Sequence, residues 1–276
     1  MTRHNRDPGY ILGSSDAEHE RLIRQAIRLA PITKRFLGEA GIGPGQRVLD
    51  LGSGVGDVAM LVARLVGASG EVVGIERDAR SINRARTRVA EAGLSKVTFV
   101  QTDIANFSSD SRFDAAVGRY ILQFLPDPVA ALHSFAQMVR PGGIIAFQEN
   151  SWAPMLALSA HLPLWSAAVT LLHEVSVHFG VNMEMGPALH RTFLNAGLPA
   201  PRMHLEVELG CDPEFTRLLS DAIGSVRPQI EKHNLSLDTL GDLDTLQERL
   251  QSEVAASITV VPWVPLVGAW CRTPVN

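Results

Sequence analysis

Cysteine is scarce in this chain, with Cys211 and Cys271 the two examples among 276 residues. They form no C-x-x-C pair, and no histidine lies at zinc-ligand spacing. The pattern points to a reducing compartment and buried free thiols rather than a disulfide framework or a metal site. A basic excess is missing too: 25 Lys and Arg stand against 29 Asp and Glu, for a formal net charge of −4. Proteins that neutralise phosphates usually carry the opposite balance, so nucleic acid is a poor candidate partner. No stretch reaches about 18 uninterrupted apolar residues, so no membrane span is expected. The opening "MTRHNRDPGY" has no apolar run of signal-peptide length. A cytoplasmic location is the resulting expectation.

What is present is an ordinary globular composition, 46% hydrophobic and 20% charged, in a chain long enough to bury a substantial core. Ser15-Asp16-Ala17-Glu18 has the form of a capping box, followed by Leu22, Ala26 and Leu29 at helical spacing. From Arg47 the pattern becomes strand, glycine turn, helix. Strands are predicted over 47–51, 71–76, 97–102, 113–118 and 144–148, with helices between them. Asp78 is placed to cap the second of these helices, and Pro141-Gly142-Gly143 to stop the one ending near residue 140. Largely apolar strands alternating with helices describe a doubly wound parallel sheet covered on both faces. Ligands of such sheets bind beyond the carboxyl ends of the strands.

After Asn150 the alternation fails. Residues 152–183 are apolar on most sides and hold Trp152, Trp165, His161, His173 and His178; 186–197 is an ordinary helix. Strands are expected over 203–210 and 266–272, with polar helices over 213–257 between them. The predicted organisation is an amino-terminal helical cap over 1–46, a binding core over 47–150, a helical acceptor lid over 151–200, and carboxy-terminal strands with a helical insertion over 201–276.

The first glycine turn, "VLDLGSGVGD" over 48–57, carries the chemistry. A dinucleotide fingerprint is G-x-G-x-x-G/A with a helix terminus left open for pyrophosphate. Here the spacing is G-x-G-x-G, with Asp50 before it and Asp57 after it. Carboxylates on both sides disfavour a pyrophosphate and suit a ligand that bears a cation. S-adenosylmethionine, with an ammonium and a sulfonium and no phosphate, fits better. Glu76 ends the second strand, and its carboxylate suits both hydroxyls of a ribose. A nicotinamide cofactor would use Glu76 in the same way.

"VLDLGSGVGD" resembles the first motif of class I S-adenosylmethionine-dependent methyltransferases. That resemblance implies backbone contacts to the cofactor from Gly52, Ser53 and Gly54, beside Asp50. It also implies that Asp103 accepts from the adenine amino group, with Ile104 and Arg77 flanking the ring. Asp103 as a helix cap and Glu76 as a solvated strand end are the structural alternatives. "GRYILQFLP", starting at Gly118, replaces the N/D-P-P-Y/F element of amino-methylating DNA enzymes, and "VRPGGIIAF" over 139–147 recurs in small-molecule enzymes. The chain is therefore most similar to the ubiquinone/menaquinone C-methyltransferase-like group, over residues 10–150. The fold this implies is a Rossmann-like, seven-stranded, mostly parallel sheet with its last strand antiparallel and helical lid insertions. Gly118 and Arg119 join the expected cofactor set, and Arg119 suits an anionic acceptor or the cofactor carboxylate; a structural ion pair is as good an account. Tyr10 would close over the methionine end, or else serve as a hydrophobic staple.

Methyl transfer is an in-line displacement, for which positioning and exclusion of water do most of the work. A base is needed only for an acceptor that enters protonated. His173, His178, Glu149, Asn150 and Arg119 are the candidate catalytic residues; His133, inside the fourth helix, suits a surface or satisfied role. The apolar, Trp-containing insertions suggest a lid over an aromatic or apolar small molecule, with a homodimer surface as the other use. The expected activity is transfer of a methyl group from S-adenosyl-L-methionine to an O, N or C atom, leaving S-adenosyl-L-homocysteine. An NAD(P)-dependent oxidoreductase and a protein that binds S-adenosylmethionine without methyl transfer are the alternatives.

Overall fold

The structure, a computed structural model, describes residues 11–275. Tyr10 lies outside them. Ser15 caps helix α1 (Asp16–Ala40), its hydroxyl accepting the Glu18 N–H at 3.1 Å. The capping box is half realised, because the Glu18 carboxylate turns inward to pair with Arg21 instead of reaching back to the cap. Strand β1 (Arg47–Leu51) leads through the glycine turn into α2 (Asp57–Val66), then β2 (Glu71–Glu76) and α3 (Ala79–Glu91), capped by Asp78 at the Ser81 N–H. Next come β3 (Val97–Gln101), β4 (Phe113–Arg119), α4 (Pro128–Met138) and β5 (Val139–Asn150).

The fifth strand begins five residues before its expected start at Ile144. Arg140 precedes a proline and is biased away from helical angles, so α4 ends at Met138. Val139 then pairs with Phe113, and a bulge between Phe113 and Ala115 absorbs the Pro-Gly-Gly segment.

Helices α5 (Ala153–Ser159), α6 (Pro163–His178) and α7 (Met185–Asn195) precede β6 (Arg202–Glu206). The strand expected over 203–210 is two: β6 ends at Glu206, and β7 (Leu209–Gly210) pairs instead with β8 (Val261–Pro262). Between them run α8 (Pro213–Lys232) and α9 (Leu246–Ala256), and β9 (Leu266–Arg272) closes the sheet.

The sheet order is β3-β2-β1-β4-β5-β9-β6. The pairs from β3 to β5 are parallel, and β9 runs antiparallel to both its neighbours. This is the seven-stranded, mostly parallel arrangement with the last strand antiparallel. Its order reverses between β1 and β4, the place where open α/β sheets leave a crevice.

Strand alternation divides the interior into two layers. One face carries Val48, Val117, Ile144 and Ala146 against α1, α2 and α3. The other carries Leu49, Leu51, Ala116, Ile145 and Phe147 against α4 and α7. The helix α7 therefore covers the sheet and is not part of the cap, contrary to the 151–200 grouping. Its Met185, Leu189 and Phe193 are apolar at helical spacing and pack with Val267 and Ala269.

A third cluster unites α5, α6, α8 and α9 around Trp165, Leu172, Phe215 and Leu250, and draws in Leu29 of α1. Trp152 follows the end of β5 and Leu266 begins β9, so this cap sits over the carboxyl ends of the parallel strands. It is tied to α1 by buried polar groups as well. Glu18 accepts both the bidentate Arg21 guanidinium at 2.7 Å and the Ser225 hydroxyl of α8 at 2.6 Å. No helix among the described residues is long and apolar enough to cross a membrane.

Candidate cofactor and acceptor site

The glycine turn has the backbone its residues require. Gly52, Gly54 and Gly56 all have positive φ, at 61°, 51° and 88°. A Cβ on Gly52 would stand 2.7 Å from Ile121 Cγ1, and one on Gly56 would stand 3.2 Å from both Ala85 Cβ and Phe99 Cζ. The last glycine is thus fixed by packing of α3 and β3 onto the turn, and the first by the loop after β4.

Asp57 does not act as a free charge beside the turn. It pairs with Arg88 of α3 at 2.7 Å, and Arg88 also donates to the Val55 carbonyl at 2.6 Å. The electrostatic preference of the turn therefore rests on Asp50. That carboxyl is 1% exposed, and its Oδ2 has no hydrogen-bond partner among the described residues. Burial pushes its pKa up to about 8 against the pull of Arg119. Ser53 Oγ is likewise buried and unpartnered among the described residues. These are groups that a ligand cation and polar ligand atoms would satisfy.

Glu76 is pinned by backbone donors. Its Oε2 accepts the Gly54 N–H at 3.0 Å, and its Oε1 accepts those of Arg77 and Asp78 at 2.8 and 2.9 Å. The carboxylate so braces the glycine turn while keeping acceptor capacity for a ribose. Asp103 is exposed and accepts the Ala105 N–H at 2.9 Å, which caps a single 3-10 turn over Ile104–Asn106. Its second oxygen is not engaged in that cap. Ile104 is half-buried and Arg77 exposed, both at the same edge of the sheet.

At the end of β4 the strand alternation separates two expected site residues. Gly118 faces the α4 side, where a Cβ would stand 2.7 Å from Phe147 Cε1; side chains, rather than a ligand, account for its glycine. Arg119 faces the α1 side with Asp50 and donates to the buried Thr33 hydroxyl at 3.0 Å. Tyr120 then adopts φ 56°, unusual for a side chain of its size. It is held there by its N–H on the Gln148 carbonyl at 2.9 Å and its hydroxyl on the Val264 carbonyl at 3.4 Å.

Glu149 is fully buried and holds the following turn. Its Oε1 accepts from the Ile121 and Leu122 amides at 3.0 and 2.8 Å, its Oε2 from the Gln123 amide at 3.3 Å. Burial pushes its pKa up to about 7, with those amides pulling the other way. Asn150 is also buried, its Oδ1 unpartnered among the described residues and its Nδ2 3.8 Å from Met183 Sδ.

The histidines scatter. His173 lies half-buried in the cap, 6.1 Å from the Trp152 ring. His178 is exposed, stacked edge-on with Phe179 and His233. His161 is exposed, and His133 is satisfied by the Ala196 carbonyl and Gln137 at 3.1 and 2.9 Å. The site thus gathers Asp50, Ser53, Arg119 and Asn150 at the strand ends, and leaves His178 and His161 on the surface. Sequence reasoning missed Gln148, Tyr120 and Thr33. Gln148 was visible as a polar residue two before Asn150 in a strand, and so on the same face.

The methyltransferase domain family matches residues 42–186 of this sequence. The chain belongs to that family. Within it, the methyltransferase domain is similar to a ubiquinone/menaquinone biosynthesis C-methyltransferase from Coxiella burnetii, 34% identical over 41% of this chain and 48% of the relative. It is also similar to aklanonic acid methyltransferase from Streptomyces, 36% identical over 42% of this chain and 54% of the relative. The chain spans about half the length of these relatives. A solved structure from Bacillus halodurans shares the fold at a TM-score of 0.59 and 16% identity, covering 88% of this chain and 99% of that one. Class I S-adenosylmethionine-dependent methyltransferases are therefore the group to which this domain belongs, and S-adenosylmethionine is the cofactor of that group. The nicotinamide alternative has no support among these relatives.

Proposed function

We propose that this methyltransferase domain binds S-adenosylmethionine across the glycine turn and directs its methyl group to an O, N or C atom of a small aromatic or otherwise largely apolar acceptor. The observation that carries the reading is the buried Asp50 carboxyl with its unpartnered Oδ2, beneath a glycine turn at the sheet's switch point. A cation of the cofactor would complete it.

In this reading Glu76 takes the ribose, Asp103 the adenine amino group with Ile104 against the ring, and Arg119 the cofactor carboxylate or an anionic acceptor group. The sulfonium supplies an activated methyl and a neutral leaving group. The protein aligns the acceptor and excludes water, which can lower the barrier by several kcal/mol. The cap helices α5, α6, α8 and α9 form the acceptor's cover. Glu149 acts as a positioning residue for the loop after β4, since both its oxygens hold backbone amides. His173, inside the cap, is better placed than exposed His178 to take a proton from an acceptor that enters protonated. Two unpaired cysteines agree with a cytoplasmic setting.

The test is calorimetric titration with S-adenosylhomocysteine, followed by labelled-methyl transfer over a panel of phenols, amines and quinolones. Binding with a methylated product supports the reading. Binding of a nicotinamide cofactor in place of S-adenosylhomocysteine would overturn it.

A further inference from the structure

Gln148 is 1% exposed, yet neither its Nε2 nor its Oε1 has a hydrogen-bond partner among the described residues. Buried carboxamides are rarely left so, because both ends lose their hydrogen bonds to water. Its position makes these two unpaired ends informative. In β5, Ile144 and Ala146 face α1, so Gln148 and Asn150 follow on that face. Across the ladder Gln148 is paired with Arg119 of β4 on one side and Gly268 of β9 on the other. Gly268 has no side chain to offer, and the space above it is taken by the Phe36 and His204 rings.

Asp50, Arg119 and Gln148 thus share one face of three neighbouring strands, β1, β4 and β5, near their carboxyl ends, with Asp50 opposite Val117 and so two residues behind the Arg119–Gln148 pair. Asn150 continues that face toward the cap, where its Nδ2 meets Met183. On this face Gln148 lies between Asp50 and the Asn150–Met183 contact, so a ligand spanning the two would meet its carboxamide. We infer that Gln148 is an acceptor-recognition residue and that the acceptor presents a hydrogen-bond donor beside a carbonyl on one edge, unchelated as in a lactam, together matching the donor and acceptor of the carboxamide.

This inference rests on the methyltransferase reading above. Arg119 can only donate, so it would read the oxygen alone and accept any anion or carbonyl. The carboxamide adds the requirement for a neighbouring donor. A purely apolar acceptor would leave both of its ends unmet.

The test uses the full chain saturated with S-adenosylhomocysteine, titrated by calorimetry with 2-quinolone, N-methyl-2-quinolone and indole. The lactam 2-quinolone, with its donor and acceptor on one edge, is expected to bind at least tenfold more tightly than either single-function compound. In Gln148→Leu and in Gln148→Met, two apolar replacements of similar volume, that preference should fall to within twofold, while S-adenosylhomocysteine binds as in the unaltered chain. Equal behaviour of the three compounds toward the unaltered chain, whether all bind or none does, would overturn the inference. So would a preference that survives both substitutions, which would mark Gln148 as a residue satisfied by buried water. Failure of the unaltered chain to bind S-adenosylhomocysteine would instead remove the cofactor reading on which the inference stands.

Discussion

The Oε1 of Glu149 accepts the backbone N–H of Leu122 at 2.8 Å, across 27 residues of chain. Through this bond the buried end of β5 fixes the turn that follows β4, and Ile121 of that turn in turn lies against Gly52. One carboxyl therefore braces the wall of the glycine turn.

Glu149→Gln should loosen that wall. The amide nitrogen of the new side chain must face a backbone N–H, leaving donors opposed. We expect a loss of about 1–3 kcal/mol in urea unfolding and weaker S-adenosylhomocysteine binding. Unchanged stability with abolished methyl transfer would instead show a direct part in the chemistry.

Asp50 predicts a pH dependence. Its folded pKa of about 8 lies above its ordinary 3.8, so the folded state holds the proton more tightly. That contribution to stability is complete below the ordinary value and is lost as pH rises through about 8. Unfolding free energy of the cofactor-free protein should fall between pH 5 and 8, and Asp50→Asn should flatten the fall. A bound cation would also release the proton. Calorimetry of S-adenosylhomocysteine at pH 7 in two buffers of different ionisation enthalpy should show up to one proton released, and none in the Asn variant.

Gly52→Ala places a Cβ against Ile121 on a backbone with φ 61°. Strain of that kind costs about 1–2 kcal/mol. The thermal midpoint should drop and S-adenosylhomocysteine affinity fall at least tenfold. Full affinity would show that the turn relaxes without the glycine.

Glu18→Ala tests whether α1 and the cap behave as one body. The substitution breaks a buried pair with Arg21 and removes the α1 acceptor of the Ser225 hydroxyl, which keeps only the Asp221 carbonyl of its own helix at 3.1 Å. A destabilisation of about 3 kcal/mol is expected, at the lower end for such pairs because Gln25 still accepts one guanidinium N–H. Hydrogen exchange should speed up in α8 as well as α1; exchange confined to α1 would separate the two.

Much of the fold could be read from local pattern. The bounds of β1, β2 and β9 follow from apolar runs ended by glycine, proline or charge, and Ser15 and Asp78 cap the helices they precede. These features depend on residues a few positions apart, where periodicity and turn chemistry act directly. The candidate site was read from marks of the same kind, since the glycine turn, Glu76 at the end of β2 and Asp103 two residues beyond β3 are set by their neighbours in sequence.

What tertiary structure decided were the relationships between distant residues. Asp57 reads as a second free acid until α3 brings Arg88 to it. Glu149 reads as a possible base until the loop after β4 lays three amides on it. The helix over Met185–Asn195 follows a lid segment in sequence yet packs on the sheet, because its apolar stripe matches the far face of β5 and β9. Parallel pairing set the register that aligned Asp50, Arg119 and Gln148 on one face. No local pattern encodes that alignment, because each strand's register is fixed by the helices packed between it and the next.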